Sequence, residues 1–276
     1  MEEESFNTYN WFDTLPDELL LKIIRIAFED LGEDNWDFVL KAPRFNFLVK
    51  VVSKISHRFK LLATDKSLWR GDVVISEEWS ILEWRFLVDK CQNEGWSSFH
   101  HYRSQTHHWH TKDIETTSTK CPNLKGLMMN MDADANIMQS WPMLPTPWTS
   151  LQTLTIWRTK LGGIFEGVKL HKTLPNLVEI RVCEVREDGD TEPSFLPDLK
   201  GCDKLKLAVF LHGFFRFDGE ILPGDELPLP PGLITLNLMG SRFQEEFMNR
   251  IKYEDIKKVQ PGLQKFHSCQ IPEHLL

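Results

Sequence analysis

The sequence predicts two unlike parts in one chain: an N-terminal three-helix module and, behind it, an irregular α/β solenoid with a parallel sheet, so that the whole reads as α+β. Three observations carry this. A first helix over 15–31 is apolar around most of its circumference. From residue 124 onward, apolar lines of one spacing recur at a nearly constant interval. No motif of an enzyme interrupts either part. The boundaries that follow are an acidic, disordered tail over 1–10, the helical module over 11–70, and the repeat region over 71–276.

The helical start is marked by Thr14 as a cap, Pro16 in the first turn, and Asp17 three residues after the cap. At about 100° per residue, Glu18, Lys22, Arg25 and Glu29 share one arc of roughly 60°. Leu15, Leu19, Leu20, Leu21, Ile23, Ile24, Ile26, Ala27, Phe28 and Leu31 cover most of the rest. A helix serving one core needs an apolar stripe of about 100°, and this one offers about twice that. Either it is buried on nearly all sides, or a second face is meant for another protein. The flanking segment is too short to enclose it, which favours a partner.

The module closes with Val52-Ser53-Lys54-Ile55-Ser56-His57-Arg58-Phe59, followed by Asp65-Lys66-Ser67-Leu68-Trp69. Together with Leu15-Pro16-Asp17-Glu18-Leu19-Leu20, these residues resemble an F-box, the motif that joins a protein to the Skp-type adaptor of cullin–RING ubiquitin ligases. The resemblance spans about 55 of 276 residues. It departs from the family at Phe59, where Trp is usual, and at 32–44, which reads as an insertion between the first two helices. What it implies is an adaptor-binding set of Leu15, Pro16, Leu19, Leu20, Ile23, Ile24, Val52, Ile55, Phe59, Leu62, Leu68 and Trp69.

Beyond the module, Asp72–Ile75 reads as a short strand and Glu77–Cys91 as a helix. Lines of the form Leu-x-x-Leu-x-Leu then begin at Leu124, Leu151, Leu177, Leu205, Leu233 and Leu263, separated by 27, 26, 28, 28 and 30 residues. Stepping back by the same interval reaches Trp96 and Leu68. Each line supplies one short strand with alternate residues inward, and a return segment brings the chain beside the preceding strand. Returns over 163–172 and 243–258 read as helical; those over 142–147 and 222–231 read as extended and Pro-rich. The Leu205 line is ambiguous, because Leu207 and Val209 fit the pattern shifted by one.

This region resembles the leucine-rich repeats found behind F-boxes, over roughly 68–271. The family places Asn or Cys at the ninth position of each line to bond the turn backbone. Here the ninth positions are Asp132, Thr159, Val185, Gly213, Ser241 and Ile271, so the resemblance implies an irregular solenoid. Residues between the inward leucines would line its concave face: Met128, Asn130, Thr155, Trp157, Arg158, Arg181, Cys183, Leu211, Met239 and His267. Interface energy concentrates in large aromatic and Arg anchors. Trp157, Arg158 and Arg181 lead the expected target-binding set, with Met239 and His267. The competing expectation is that the tail over 270–276 covers this face.

Composition narrows the function. A net charge of −8 without a basic run argues against nucleic acid held through phosphates. There is no run of 18 apolar residues and no secretory-type N-terminus, so neither a membrane span nor export is expected. Five scattered cysteines without a CxxC pair suit a reducing compartment, cytoplasmic or nuclear. His100, His101, His107, His108 and His110 crowd one window, yet no Cys or acidic residue stands at ligand spacing, and no metal or other cofactor is expected. Asp132 with Asp134, and Gly162-Gly163, read as solvated loop and bend. No nucleophile elbow, phosphate loop or zinc-protease motif is present, and a non-catalytic role is expected.

The resemblances imply a substrate receptor: the module on the adaptor and through it a cullin, the repeats on an unknown target protein, the chemistry performed elsewhere. A scaffold that binds the adaptor without ubiquitin output fits the same residues. A metal enzyme built on the histidine window is a distant third.

Overall fold

The computed structural model describes residues 14–30, 47–65, 67–68, 71–75, 96–101, 111–131, 141–158, 164–184, 194–217, 229–243 and 261–268. The expected tail, the 32–44 insertion, Trp69, the Glu77–Cys91 helix, His107, His108, His110, the Asp132–Asp134 pair, the Gly162-Gly163 bend and the 243–258 return lie at least in large part outside these residues.

Helix α1 runs over Asp17–Asp30. It starts where Pro16 cannot donate, and the Pro16 carbonyl accepts from the amides of Leu19 and Leu20 at 3.1 Å each. A π-helical turn over Phe47–Val52 leads into α2, Ser53–Ile55, and then α3, His57–Leu62. The break between α2 and α3 falls at Ser56, whose backbone is extended and whose hydroxyl accepts from the Phe59 amide at 3.2 Å. These elements pack on one another around Leu20, Ile24, Leu48, Val52, Phe59 and Leu62.

Eight strands form the main sheet: β1 Gly71–Ile75, β2 Trp96–His101, β3 Gly126–Met131, β4 Thr153–Arg158, β5 Glu179–Glu184, β7 Leu207–Leu211, β9 Thr235–Leu238 and β11 Lys265–Ser268. Their spatial order is β1-β2-β3-β4-β5-β7-β9-β11 and every pairing is parallel. The chain therefore advances by one strand per coil, in a solenoid-like arrangement.

The repeat lines of the sequence become columns. Leu124, Leu151, Leu177, Leu205, Leu233 and Leu263 are buried in succession. Three residues later stand Leu127, Leu154, Ile180, Ala208 and Leu236, and five later Met129, Ile156, Val182, Phe210 and Leu238, all buried. Pairing of Ile180 with Ala208 and of Val182 with Phe210 settles the ambiguous line: Leu205 keeps its register, and Leu207 and Val209 belong to the other face.

One backbone contact repeats in the coils led by Leu151, Leu177, Leu205, Leu233 and Leu263. The amides one and two residues after the leading Leu donate to the carbonyl one residue after the leading Leu of the preceding coil. Gln152 and Thr153 bond Lys125; Val178 and Glu179 bond Gln152; Lys206 and Leu207 bond Val178; Ile234 and Thr235 bond Lys206; Gln264 and Lys265 bond Ile234. All ten lie between 2.7 and 3.2 Å. Three residues before the leading Leu comes a further buried column, Cys121, Trp148, Leu174, Cys202 and Pro230.

The returns differ from expectation in three places. Helix α4, Thr111–Lys120, has only Ile114 as an aliphatic anchor, so periodicity does not reveal it. Its Thr116, Thr117 and Thr119 hydroxyls donate to carbonyls four residues back, so these side-chain donors are satisfied within the helix itself. The 164–172 return is mostly turn, with one helical turn, α5, Leu170–Thr173; Gly167 at φ 70° ends any longer helix. Third, a parallel three-stranded sheet forms beside the last coils from β6 Ser194–Leu196, β8 Phe214–Phe217 and β10 Arg242–Phe243, in the order β10-β8-β6. The corner between β7 and β8 turns at His212 and that between β9 and β10 at Gly240, both at positive φ.

Candidate interaction surfaces

Helix α1 divides its apolar surface in two. Leu20 and Ile24 point into the module and are fully or nearly fully buried. Leu19, Ile23 and Ile26 lie one helical turn apart along a second stripe and are exposed. Val51 and Ile55, four residues apart, and Leu61 on α3 are exposed as well. These six side chains are between 45 and 61 % exposed. They make up six of the nine large apolar side chains that are exposed among the described residues, within a segment of fewer than 50 residues. Isolated exposed apolar residues are ordinary, but such a concentration is a mark of an interaction surface.

The expected adaptor-binding set therefore splits. Leu19, Ile23, Ile55 and Pro16 are exposed, and Leu15 is half-buried against the core. Leu20, Ile24, Val52, Phe59, Leu62 and Leu68 are core, satisfied within the chain and not on offer to a partner. Periodicity could not separate them, because the helix is apolar at nearly every angle and only α3 and the π-helical turn decide which side is covered. Ile26, Val51 and Leu61 were missed for the same reason. No side-chain position is described for Trp69.

The two ends of the module are tied by Arg58. Its Nε donates to Asp17 Oδ1 at 2.7 Å. Its Nη2 lies 2.5 Å from that same oxygen and donates to the Leu15 carbonyl at 2.5 Å. Farther along, the Ser67 amide donates to Asp65 Oδ1 and the Leu68 amide to the Asp65 carbonyl, closing the turn that buries Leu68.

The second surface is the sheet face opposite the leucine columns. Strand register lines up Met128, Thr155, Arg181, Val209, Asn237 and His267 across six strands. Asn130, Trp157, Cys183 and Leu211 form the next row, and Met239 follows β9 at its corner. Arg181, Met239 and His267 are exposed; Trp157 and Leu211 are half-buried. Trp157 and Arg181 are diagonal neighbours on β4 and β5, whereas Met239 and His267 belong to coils on the far side of β7. The expected set is thus two clusters with Val209 and Leu211 between them. Val209 was missed because the Leu205 register was open; Asn237 lies between the inward Leu236 and Leu238 and could have been found from the Leu233 line. Arg158 follows Trp157 at the end of β4 and pairs with Met131 and Glu184.

The electrostatics of this face are muted. The Arg181 Nε donates to Glu179 Oε1 within the same strand, so the guanidinium is already partly neutralised. Burial pushes the Cys183 thiol up to about 11, with Arg181 opposing, and the Cys202 thiol up to about 12, with Asp198 and Asp203 adding to burial. Both sulfurs are protonated and unreactive near neutral pH. Among the described residues no group of three His, Cys, Asp or Glu side chains could hold a metal ion, and no helix is long and apolar enough to cross a membrane. His100 and His101 lie on β2.

Compared with models of protein families and with curated proteins, the sequence matches none.

Proposed function

We propose that this chain is the substrate-recognition subunit of an SCF-type ubiquitin ligase, an F-box module followed by leucine-rich-repeat-like coils, active in the cytoplasm or nucleus. The supporting observation is the concentration of exposed apolar side chains on the N-terminal helices, combined with the residue-level resemblance of 15–69 to an F-box. The stripes Leu19–Ile23–Ile26 and Val51–Ile55, with Leu61, Leu15 and Pro16, would be covered by the adaptor. Half-exposed Leu, Ile and Val side chains are worth about 1 kcal/mol each on full burial, roughly 6 kcal/mol for six. That is near the low end of the cost of association, so further contacts from the 65–69 ending are required. The sheet face would hold the target through Trp157 and Arg181, or through Met239 and His267. The chain would contribute proximity, bringing a target lysine to ubiquitin activated on another subunit.

Affinity purification with mass spectrometry tests this in three arms. The intact chain is expected to capture a Skp-type adaptor and a cullin. Leu19→Asp with Ile23→Asp is expected to lose both while keeping its fold. Trp157→Ala is expected to keep both and lose target proteins. Adaptor without cullin would leave a scaffold; absence of the adaptor from the intact chain would end the reading. Leu20→Asp with Ile24→Asp is not a clean probe, since those side chains are core and the module would unfold.

A further inference from the structure

We infer that Arg58 is a positioning residue for the adaptor surface, acting as a clasp that sets the entry turn of α1 against α3. This rests on the F-box reading above, and what it adds is the residue that holds the two halves of that surface in register. The exposed stripe of α1 begins directly after the entry turn Thr14-Leu15-Pro16, and Leu61 is carried by α3. Residues 31–56 lie between the two helices in sequence, so their relative placement must come from contacts across the module.

Apolar contacts supply part of this: Leu20 and Ile24 meet the core that includes Phe59 and Leu62. Such contacts are non-directional and permit sliding or rotation of one helix on another. The guanidinium of Arg58 adds direction. It reaches back 41 residues to the Asp17 carboxylate and 43 to the Leu15 carbonyl, using two separate nitrogens. Asp17 is the first residue of α1, and the Leu15 carbonyl is the last acceptor before Pro16. One planar group thus fixes both the axial position of the helix start and the backbone plane of the turn preceding it. A lysine ammonium could neutralise Asp17 but presents no rigid fork to hold both acceptors.

The side chains of Arg58 and Asp17 are 32 and 58 % exposed. An exposed ion pair of this kind does little for stability. Its consequence should therefore show in binding geometry more than in melting, because a misplaced turn moves Leu15, Pro16 and Leu19 together.

The test uses the full chain and a recombinant Skp-type adaptor, with dissociation constants and thermal melting measured for wild type, Arg58→Ala, Arg58→Lys, Asp17→Asn and the Arg58→Ala/Asp17→Asn double variant. Arg58→Ala is expected to weaken binding by about tenfold. Arg58→Ala and Arg58→Lys should both melt close to wild type, and Arg58→Lys should recover only part of the affinity, since the Leu15 contact stays lost. The double variant should bind no worse than Arg58→Ala, showing that both changes break one clasp. Unchanged affinity in Arg58→Ala, full wild-type affinity in Arg58→Lys, or additive losses in the double variant would each overturn the inference. If Arg58→Ala does not fold, Asp17→Asn carries the test, and wild-type affinity in that variant overturns it. Failure of the wild-type chain to bind the adaptor at all removes the F-box reading, and this inference with it. Normal wild-type binding with an indifferent Arg58 removes the inference alone.

Discussion

At the scale of single residues, two corner positions show how little freedom the late coils have. His212 and Gly240 occupy equivalent places after β7 and β9, at φ 60° and 68°. A Cβ on Gly240 would come within 2.6 Å of His212 Nδ1, so strain and steric conflict coincide there. Gly240→Ala is expected to destabilise the chain by about 1–3 kcal/mol, read as a lowered urea midpoint, and His212→Gly by less. Equal effects of the two would show that packing, not backbone strain, governs the corner. The same scale separates Leu19 from Leu20. Adjacent and chemically identical, they differ by about 100° around the helix, and only Leu19 is left exposed.

At the scale of the element, each coil is held to its neighbour by backbone bonds that repeat without regard to side chain. Side-chain rungs are sparser and less regular. Ser150 Oγ donates to the Leu124 carbonyl, Asn176 Nδ2 to the Thr149 carbonyl, and Lys204 Nζ to Asn176 Oδ1. These stand at the leading edge of the strands, not at the ninth position, where the resemblance to leucine-rich repeats implies a ladder. Among the described ninth positions, Ser241 makes such a rung: its buried hydroxyl donates to the Phe210 carbonyl of the preceding coil at 2.7 Å. Ser241→Ala leaves that carbonyl without the bond and is expected to cost about 1–2 kcal/mol in chemical denaturation. An unchanged midpoint would mean that the turn backbone needs no side-chain support there.

At the scale of the whole molecule, the chain joins two constructions that obey different rules. The module's helices pack chiefly on one another, while each inner strand of the solenoid pairs with the strands on either side. Removal of residues 11–70 is therefore expected to leave the sheet folded, with a cooperative thermal transition by circular dichroism and no adaptor binding. Loss of that transition would show that the module is an integral cap of the solenoid.

The column residues Leu124, Leu151, Leu177, Leu205, Leu233 and Leu263 were legible because a parallel coil must bury the same position in every turn, and that demand is written as a period. The excess apolar surface of α1 was legible for a similar reason, since no arc but the charged one is polar. Three things were not legible. The burial of Leu20, Ile24 and Phe59 against the exposure of Leu19, Ile23 and Ile26 depends on where α3 lies. The parity of Val209 depends on strand register, and the second sheet depends on corners that only two positive-φ residues mark. Periodicity is a property of one element and is carried by its own residues. Which face is covered, and by what, is set by contacts between segments distant in sequence, such as Arg58 with Leu15 and Asp17, and only the tertiary structure decides those.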